Sequence, residues 1–206
     1  MKLNQILKLV AIVCAIIVVF CAAYVAYALL APQFTPDNLA TVSTQATTAG
    51  TGSTEEHDHD HDHEHDHVHN QAPEFLVYDA QGNEVHLSDY YGKPIVLNFW
   101  ASWCGPCQME MPDFNEKFLE VGDEVQFLMV NVTDGDRETM ETASAFIAEK
   151  GYSFPVLFDL YLDASTAYNA TALPMTVLIN REGNIVAYAT GAITAETLQQ
   201  GIDIIS

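Results

Sequence analysis

Two cysteines separated by two residues carry the clearest chemistry in the sequence. Cys104 and Cys107 lie in FWASWCGPCQMEMP, where an apolar strand pattern gives way to a helix pattern. Cys104 would begin the helix, where unpaired backbone N–H groups and the positive end of the helix dipole stabilise a thiolate. Cys107 follows one helical turn later, within disulfide reach and less exposed. The pattern predicts a nucleophilic thiol and a resolving thiol, with Gly105 and Pro106 in the tight first turn.

Zinc knuckles and structural disulfides also use cysteines at this spacing. Zinc needs two further ligands, but from residue 73 onward the sequence has no other cysteine and a single histidine, His86. A static disulfide would not explain Trp103 beside the motif, or the position of the motif at a strand-to-helix turn. We therefore expect a redox-active Cys104–Cys107 pair.

The segments around the cysteines alternate between strand and helix patterns. FLVYDAQGNEVHL has two short apolar runs about a Gln81-Gly82-Asn83 turn, which predicts a hairpin. KPIVLNFWA and EVQFLMVNV are continuous apolar runs, typical of strands buried on both faces. Further strands are predicted over PVLFD, MTVLIN and IVAYAT, and helices over Cys104–Glu120, DRETMETASAFIAEKG, Ala164–Tyr168 and TAETLQQGIDII. This order predicts an α/β fold with a mixed sheet and helices on both faces.

At these residues the sequence resembles the thioredoxin superfamily, and within it the membrane-anchored TlpA/ResA-like thiol-disulfide oxidoreductases. The resemblance covers about Glu74 to Ser206 and rests on WCGPC and on Pro112 in the following helix. An N-terminal hairpin, an inserted helix and strand near residues 136–159, and Glu110 indicate the subgroup. The resemblance implies a thioredoxin fold and exchange chemistry that needs no cofactor beyond the disulfide of the motif.

The resemblance also implies roles for residues outside the motif. Thioredoxins have a buried acid six residues before the first cysteine, where this chain has Asn98, so tuning of the cysteine pKa values passes to Glu110. An ordinary solvated helix acid is the alternative for Glu110. The family's cis-proline corresponds to Pro174, and the backbone beside it is expected to pair with the substrate chain; Met175 stands where this group often has threonine. The expected substrate contacts are Trp103, Gly105, Pro106 and Leu173.

The N-terminal segment predicts a membrane span. Leu9–Ala31 carries no charge and would extend about 34 Å as a helix, enough to cross a hydrocarbon core of ~30 Å. Lys2 and Lys8 precede it, so the positive-inside rule places residues 1–8 in the cytoplasm and the C-terminal domain outside it. A cleaved signal peptide, with a small-x-small site at Ala26-Tyr27-Ala28, is the alternative.

A linker is predicted between the span and the domain at residues 73–206. Residues 32–72 are rich in Thr, Ser, Ala and Gly without an apolar period, which is typical of disorder. Within it, the tract at residues 55–70 alternates histidine with mostly acidic residues. Loose binding of several Zn, Ni or Cu ions is one hypothesis for the tract, and a solvated, pH-responsive linker is the other. The predicted metal ligands are His57, His59, His61, His63, His65, His67 and His69.

Charge and motif spacing separate the remaining function classes. A formal net charge of -21 disfavours nucleic acid and anionic lipid headgroups as partners. The resemblance implies protein thiols and disulfides as substrates, a membrane thiol carrier as electron donor and apocytochrome c as a candidate substrate. The Gly-Pro dipeptide of thioredoxin favours reduction of substrate disulfides, and a disulfide-forming oxidant is the alternative.

Two other classes fit the motif less well. A copper metallochaperone of the SCO-like branch has three residues between its cysteines and a histidine within the domain. This chain has two residues between its cysteines, and its only histidine from residue 73 onward is His86, on the predicted N-terminal hairpin. A peroxidase of the peroxiredoxin type has a Thr-x-x-Cys site, which the WCGPC motif does not provide.

Overall fold

The computed structural model describes residues 39–41 and 70–206. The strands of this part of the chain are β1 (Ala40–Thr41), β2 (Leu76–Tyr78), β3 (Glu84–His86), β4 (Ile95–Trp100), β5 (Gln126–Asn131), β6 (Val156–Phe158), β7 (Met175–Ile179) and β8 (Ile185–Thr190). The helices are a 3-10 turn (Leu87–Tyr90), α1 (Gly105–Val121), α2 (Met140–Lys150), α3 (Asp163–Ala167) and α4 (Ala195–Ile205). The strands form one mixed sheet in the order β1-β8-β7-β4-β5-β6-β2-β3.

The apolar runs form the centre of the sheet, as predicted. All six residues of β4 are buried, and β4 lies between β5, which is parallel to it, and β7, which is antiparallel. Alternate residues of a strand face opposite sides of the sheet, so Val96 and Trp100 pack into one apolar cluster while Leu97 and Phe99 pack into another. The predicted hairpin forms from β2 and β3, with Gly82 left-handed at the turn (φ 81°).

Helices cover both faces of the sheet, which confirms the predicted layers. The cluster on one face includes Phe114 of α1, Ala143 of α2 and Leu198 of α4. The cluster on the other face includes Ala164 of α3. The face with α1 also holds both cysteines, so the cysteine motif is packed against the larger set of helices.

The second helix begins later than the sequence predicts. A helix was expected from Asp136, but α2 begins at Met140, with Thr139 as its N-cap. The carboxylate of Asp134 accepts hydrogen bonds from the backbone N–H groups of Asp136, Arg137 and Glu138, at 2.8–2.9 Å. These bonds hold the three residues in a loop, because a side chain that satisfies backbone donors competes with the helix.

Two parts of the predicted disordered linker lie on the sheet. Contrary to the expectation for residues 32–72, Ala40 and Thr41 pair with the edge strand β8, opposite Tyr188 and Ala187. Ala72 is buried, and its N–H donates to Gly183 O at 2.8 Å. An open sheet edge presents unpaired backbone groups, and these short segments occupy part of that edge. The predicted histidine ligands and the predicted span lie outside the described residues.

Within residues 39–41 and 70–206, no helix has the length and apolar character needed to cross a membrane.

Candidate active site

The cysteine motif occupies the N-terminus of α1, as the strand-to-helix pattern predicts. Cys104 is the N-cap residue, and its Sγ accepts a hydrogen bond from the backbone N–H of Cys107 at 3.2 Å. The two cysteines form a disulfide, with their Cα atoms 5.3 Å apart. Cys104 is 4% exposed and Cys107 is fully buried. Any exchange partner therefore reaches Cys104 first.

Exposed residues surround the slightly accessible Cys104. Trp103 is 41% exposed, and Gly105 and Pro106 are also exposed. Leu173, which is half-buried, packs against the apolar cluster that contains both cysteines. The Leu173–Pro174 peptide bond is cis, as the resemblance predicts. The predicted substrate contacts and the cysteines thus share one region of the domain.

Glu110 is buried on α1 rather than solvated. Its side chain is 2% exposed, which excludes an ordinary solvated helix acid. One carboxylate oxygen, Oε1, accepts from Asn98 Nδ2, and the other accepts from the backbone N–H of Ile193, each at 2.9 Å. Asn98 Nδ2 also donates to Thr176 Oγ1 at 3.1 Å, whereas Asn98 Oδ1 is buried without a hydrogen-bond partner. This network links β4, β7, α1 and the loop before α4.

Burial makes Glu110 an acid that titrates near neutral pH. Desolvation raises the pKa of its carboxyl to about 7, although the donors on Ile193 and Asn98 act in the opposite direction. The charge of Asp113 adds to the increase in the pKa. Residues three apart lie on the same face of a helix, so Glu110 and the buried Cys107 share one face of α1. A group with this pKa can accept or donate a proton at neutral pH.

A second buried glutamate binds the residue that directly precedes the motif. Glu138, in the loop before α2, is fully buried. Its carboxylate accepts from the backbone N–H of Ser102 at 2.9 Å, from Ser102 Oγ at 2.6 Å and from Asn131 Nδ2 at 2.7 Å. The guanidinium of the neighbouring Arg137 lies 3.7 Å from the ring centroid of Trp103. This loop therefore contacts both residues that precede Cys104.

The described residues do not bring metal ligands to the cysteines. No group of three or more His, Cys, Asp or Glu side chains within residues 39–41 and 70–206 is arranged to hold a metal ion. His86 ends β3, which is separated from β4 by β5, β6 and β2. At a strand spacing of about 4.8 Å, this places it roughly 19 Å from the strand that precedes the motif.

Comparison with known proteins agrees with the geometry. The AhpC/TSA family model matches residues 68–188. The chain belongs to the AhpC/TSA family. ResA, a thiol-disulfide oxidoreductase, of Geobacillus kaustophilus is 37% identical over 135 residues, which are 65% of this chain and 75% of the relative. The Bacillus subtilis ResA is 34% identical over 137 residues, 66% of this chain and 74% of the relative.

Solved structures of thiol-disulfide exchange proteins have a similar fold. A putative thiol:disulfide interchange protein DsbE from Chlorobium tepidum is 31% identical, with a TM-score of 0.59 over 66% of this chain and 96% of its own. StoA from Bacillus subtilis is 27% identical, with a TM-score of 0.55 over 63% and 96%. These matches confirm the predicted thioredoxin-like fold, the ResA-like resemblance and the enzyme class of thiol-disulfide oxidoreductase.

Several residues of the site in this AhpC/TSA domain were not predicted. Asn98 and Thr176 each interrupt an apolar strand, and they lie opposite each other across β4 and β7. A polar residue within an apolar strand is the sequence signal that could have indicated them. The contacts of Ile193 and Glu138 join residues far apart in the chain, and no local pattern indicates them.

Proposed function

We propose that this thiol-disulfide oxidoreductase of the ResA/DsbE type reduces disulfides in exported proteins. The Cys104 thiolate attacks one sulfur of the substrate disulfide, forms a mixed disulfide and releases the other substrate sulfur as a thiolate. Cys107 then attacks Cys104 Sγ, which releases the second substrate thiolate and leaves the Cys104–Cys107 disulfide, so two electrons pass to the substrate. The observation that carries this proposal is the disulfide at the start of α1, in which Cys107 is fully buried and Cys104 is 4% exposed.

Glu110 is proposed to take the proton of the Cys107 thiol in the resolving step. Two features support this role: burial raises the pKa of its carboxyl to about 7, and Glu110 follows Cys107 by three residues on α1. A general base works best when its pKa is close to the operating pH. The Asn98 amide would hold the carboxylate in place during this transfer.

The proposed substrate surface consists of the exposed rim of the motif and the cis-proline loop. Trp103, Gly105 and Pro106 contact the substrate, and the backbone of Leu173 pairs with it beside Pro174. The exposure of the rim and the packing of Leu173 on the cysteine cluster support this surface. The resemblance extends the proposal to apocytochrome c as a candidate substrate.

Cellular placement completes the proposal. The apolar segment Leu9–Ala31 would anchor the protein in the cell membrane by a single pass, with the N-terminus in the cytoplasm and the domain outside. A reductase in that compartment needs electrons after each turnover, and we propose a membrane thiol carrier as the donor. The name of the ResA relatives supports the enzyme class but does not specify the carrier.

The reduction potential of the full-length protein tests the direction of electron flow. We expect a value of about -250 mV or below, and we expect a substrate protein disulfide to oxidise the Cys104–Cys107 dithiol. A value near about -150 mV would instead indicate a disulfide-forming oxidant. In the Cys107→Ser variant, we expect a stable mixed disulfide between Cys104 and the substrate, whereas Cys104→Ser should form none. A trapped adduct on Cys107 in the second variant would contradict the assigned order of attack.

Metal binding by the histidine tract stays a prediction, and a metal-binding or copper-carrying role is the alternative function. The same potential measured with and without zinc tests for a link between the tract and the disulfide. A zinc-dependent shift that disappears when the seven histidines are replaced by alanine would show that the tract regulates the cysteine pair, because zinc can also bind the reduced thiols directly. An unchanged potential would separate any metal binding from the exchange reaction.

A further inference from the structure

Ser102 and Cys104 lie on either side of Trp103, and only Ser102 is bound by the Glu138 carboxylate. Cys104 is held by α1, since its carbonyl accepts from the N–H of Gln108 at 3.1 Å and its Sγ accepts from the N–H of Cys107 at 3.2 Å. Glu138 binds both the N–H and the hydroxyl of Ser102, and the carbonyl of Ser102 accepts from Gln108 Nε2 of α1. The Glu138 carboxylate therefore binds the chain that leads to Cys104, whereas the hydrogen bonds of Cys104 to α1 do not involve Glu138.

The loop that carries Glu138 is itself fixed. The Asp134 carboxylate accepts from three successive backbone N–H groups, ending at Glu138. Asn131, at the end of β5, donates to the Glu138 carboxylate at 2.7 Å, and its own Oδ1 accepts from Thr133 Oγ1 at 2.8 Å. Glu138 and Asn131 are both fully buried. A buried, fully bonded network of this kind holds its members in one arrangement.

The same loop places a cation against the exposed aromatic side chain of the motif. The guanidinium of Arg137 lies 3.7 Å from the ring centroid of Trp103, within the range of a cation–π interaction. Trp103 is nevertheless 41% exposed, so part of its ring is open to a partner. Glu138 fixes the residue before Trp103 and Arg137 covers the ring, so adjacent loop residues determine how Trp103 is presented.

We propose that Glu138 is a positioning residue that orients Trp103 beside Cys104 and so favours polypeptide disulfides over small disulfides. A polypeptide would contact both the Trp103 ring and the sulfur, whereas a small disulfide needs only the sulfur, which α1 holds independently. The inference rests on the proposed function, in which Trp103 contacts the substrate chain. A residue that only stabilised the fold would affect both kinds of substrate equally.

Two rate constants measured on the full-length protein test this proposal. The prereduced protein is oxidised by insulin, a polypeptide disulfide, and separately by hydroxyethyl disulfide, at a temperature where the variants are folded. For Glu138→Gln we expect the rate constant with insulin to fall about tenfold or more, because small displacements of a binding group are costly. The rate constant with hydroxyethyl disulfide should change less than about threefold, since α1 still positions Cys104.

A matched control and a spectroscopic readout accompany the rates. Asp136→Asn makes the same chemical change at an exposed residue of the same loop and should leave both rate constants unchanged. The chain has two tryptophans, and Trp100 is fully buried, so acrylamide quenching of fluorescence reports on Trp103. Quenching should increase in Glu138→Gln and stay at the wild-type level in Asp136→Asn.

Arg137→Met keeps the test decisive if Glu138→Gln does not fold. It removes the charge from the Trp103 ring but leaves the backbone N–H that donates to Asp134, and we expect a smaller fall with insulin and no change with hydroxyethyl disulfide. Equal losses with both disulfides, or no loss with either, would overturn the proposal. If the wild-type protein fails to reduce insulin, the proposed function fails before any variant is compared.

Discussion

Two buried glutamates flank the cysteine motif, and they differ in what they bind. Glu110 accepts one hydrogen bond on each oxygen, from the Asn98 amide and from the N–H of Ile193. Glu138 accepts three, of which two come from Ser102, two residues before Cys104. Both side chains are at most 2% exposed. Both glutamates are therefore buried, and they differ in which residues donate hydrogen bonds to their carboxylates.

The donors suggest different tasks for the two carboxylates. None of the hydrogen bonds to Glu110 comes from the residues of the WCGPC motif, so its protonation can change without releasing the segment that leads to Cys104. Burial also raises the pKa of Glu110 to about 7, where such a change takes place at neutral pH. Glu138 instead binds the chain just before the motif. We infer proton transfer for the first and positioning for the second.

The largest expected effect is on stability, in Glu138→Ala. This change leaves three donors without their acceptor, the buried Asn131 Nδ2 and the part-buried N–H and hydroxyl of Ser102, at a cost of about 1–3 kcal/mol for each donor that water does not reach. We expect the free energy of unfolding to fall by about 3–5 kcal/mol at neutral pH, measured by urea denaturation of the oxidised protein. Glu141→Ala, at an exposed residue of α2, should change it by less than about 1 kcal/mol. Similar losses in the two variants would mean that the network around Glu138 contributes little.

The pH dependence of stability distinguishes Glu110. Its pKa is about 7 in the folded protein and ordinarily 4.5, so the folded state binds more protons between these values. The free energy of unfolding should therefore decrease as pH rises from 4.5 through 7, by about 3 kcal/mol in total. Glu110→Gln should abolish this decrease and be more stable than wild type at pH about 8. The buried and unpartnered Asn98 Oδ1 can accept from the new amide if the Asn98 side chain flips.

Urea unfolding at a series of pH values measures this slope. Glu116→Gln removes an exposed acid from the same helix and should keep the wild-type decrease. If Glu110→Gln retained the wild-type decrease, a different group would be responsible for it. If it were destabilised at every pH, Glu110 would resemble Glu138, and the distinction between the two glutamates would fail.

The sequence predicts those features that depend on local patterns. The run that forms β4 is continuously apolar, and the change to helix at Cys104 follows from Pro106 and the apolar spacing, so the motif is placed correctly. The start of α2 is misplaced because the Asp134 carboxylate holds the preceding residues in a loop. Glu138 is missed for a different reason, since its contacts with Ser102 join residues 36 positions apart. Long-range hydrogen bonds leave no periodic signal in a sequence.

The smallest expected effect concerns a single hydrogen bond at the edge of the Glu110 network. Thr176→Val keeps the shape of the side chain but removes the acceptor of Asn98 Nδ2, which still donates to Glu110. We expect a loss of about 1 kcal/mol in the free energy of unfolding, because only one of two acceptors is lost. Thr176→Ser retains the hydroxyl and serves as the control for the hydrogen bond, although it also loses a methyl group.

If the valine variant lost about as much stability as Glu138→Ala, Asn98 would depend on Thr176 and not on Glu110 for its position. The Glu110 carboxylate would then be held chiefly by the N–H of Ile193, and its protonation would be coupled to the loop before α4.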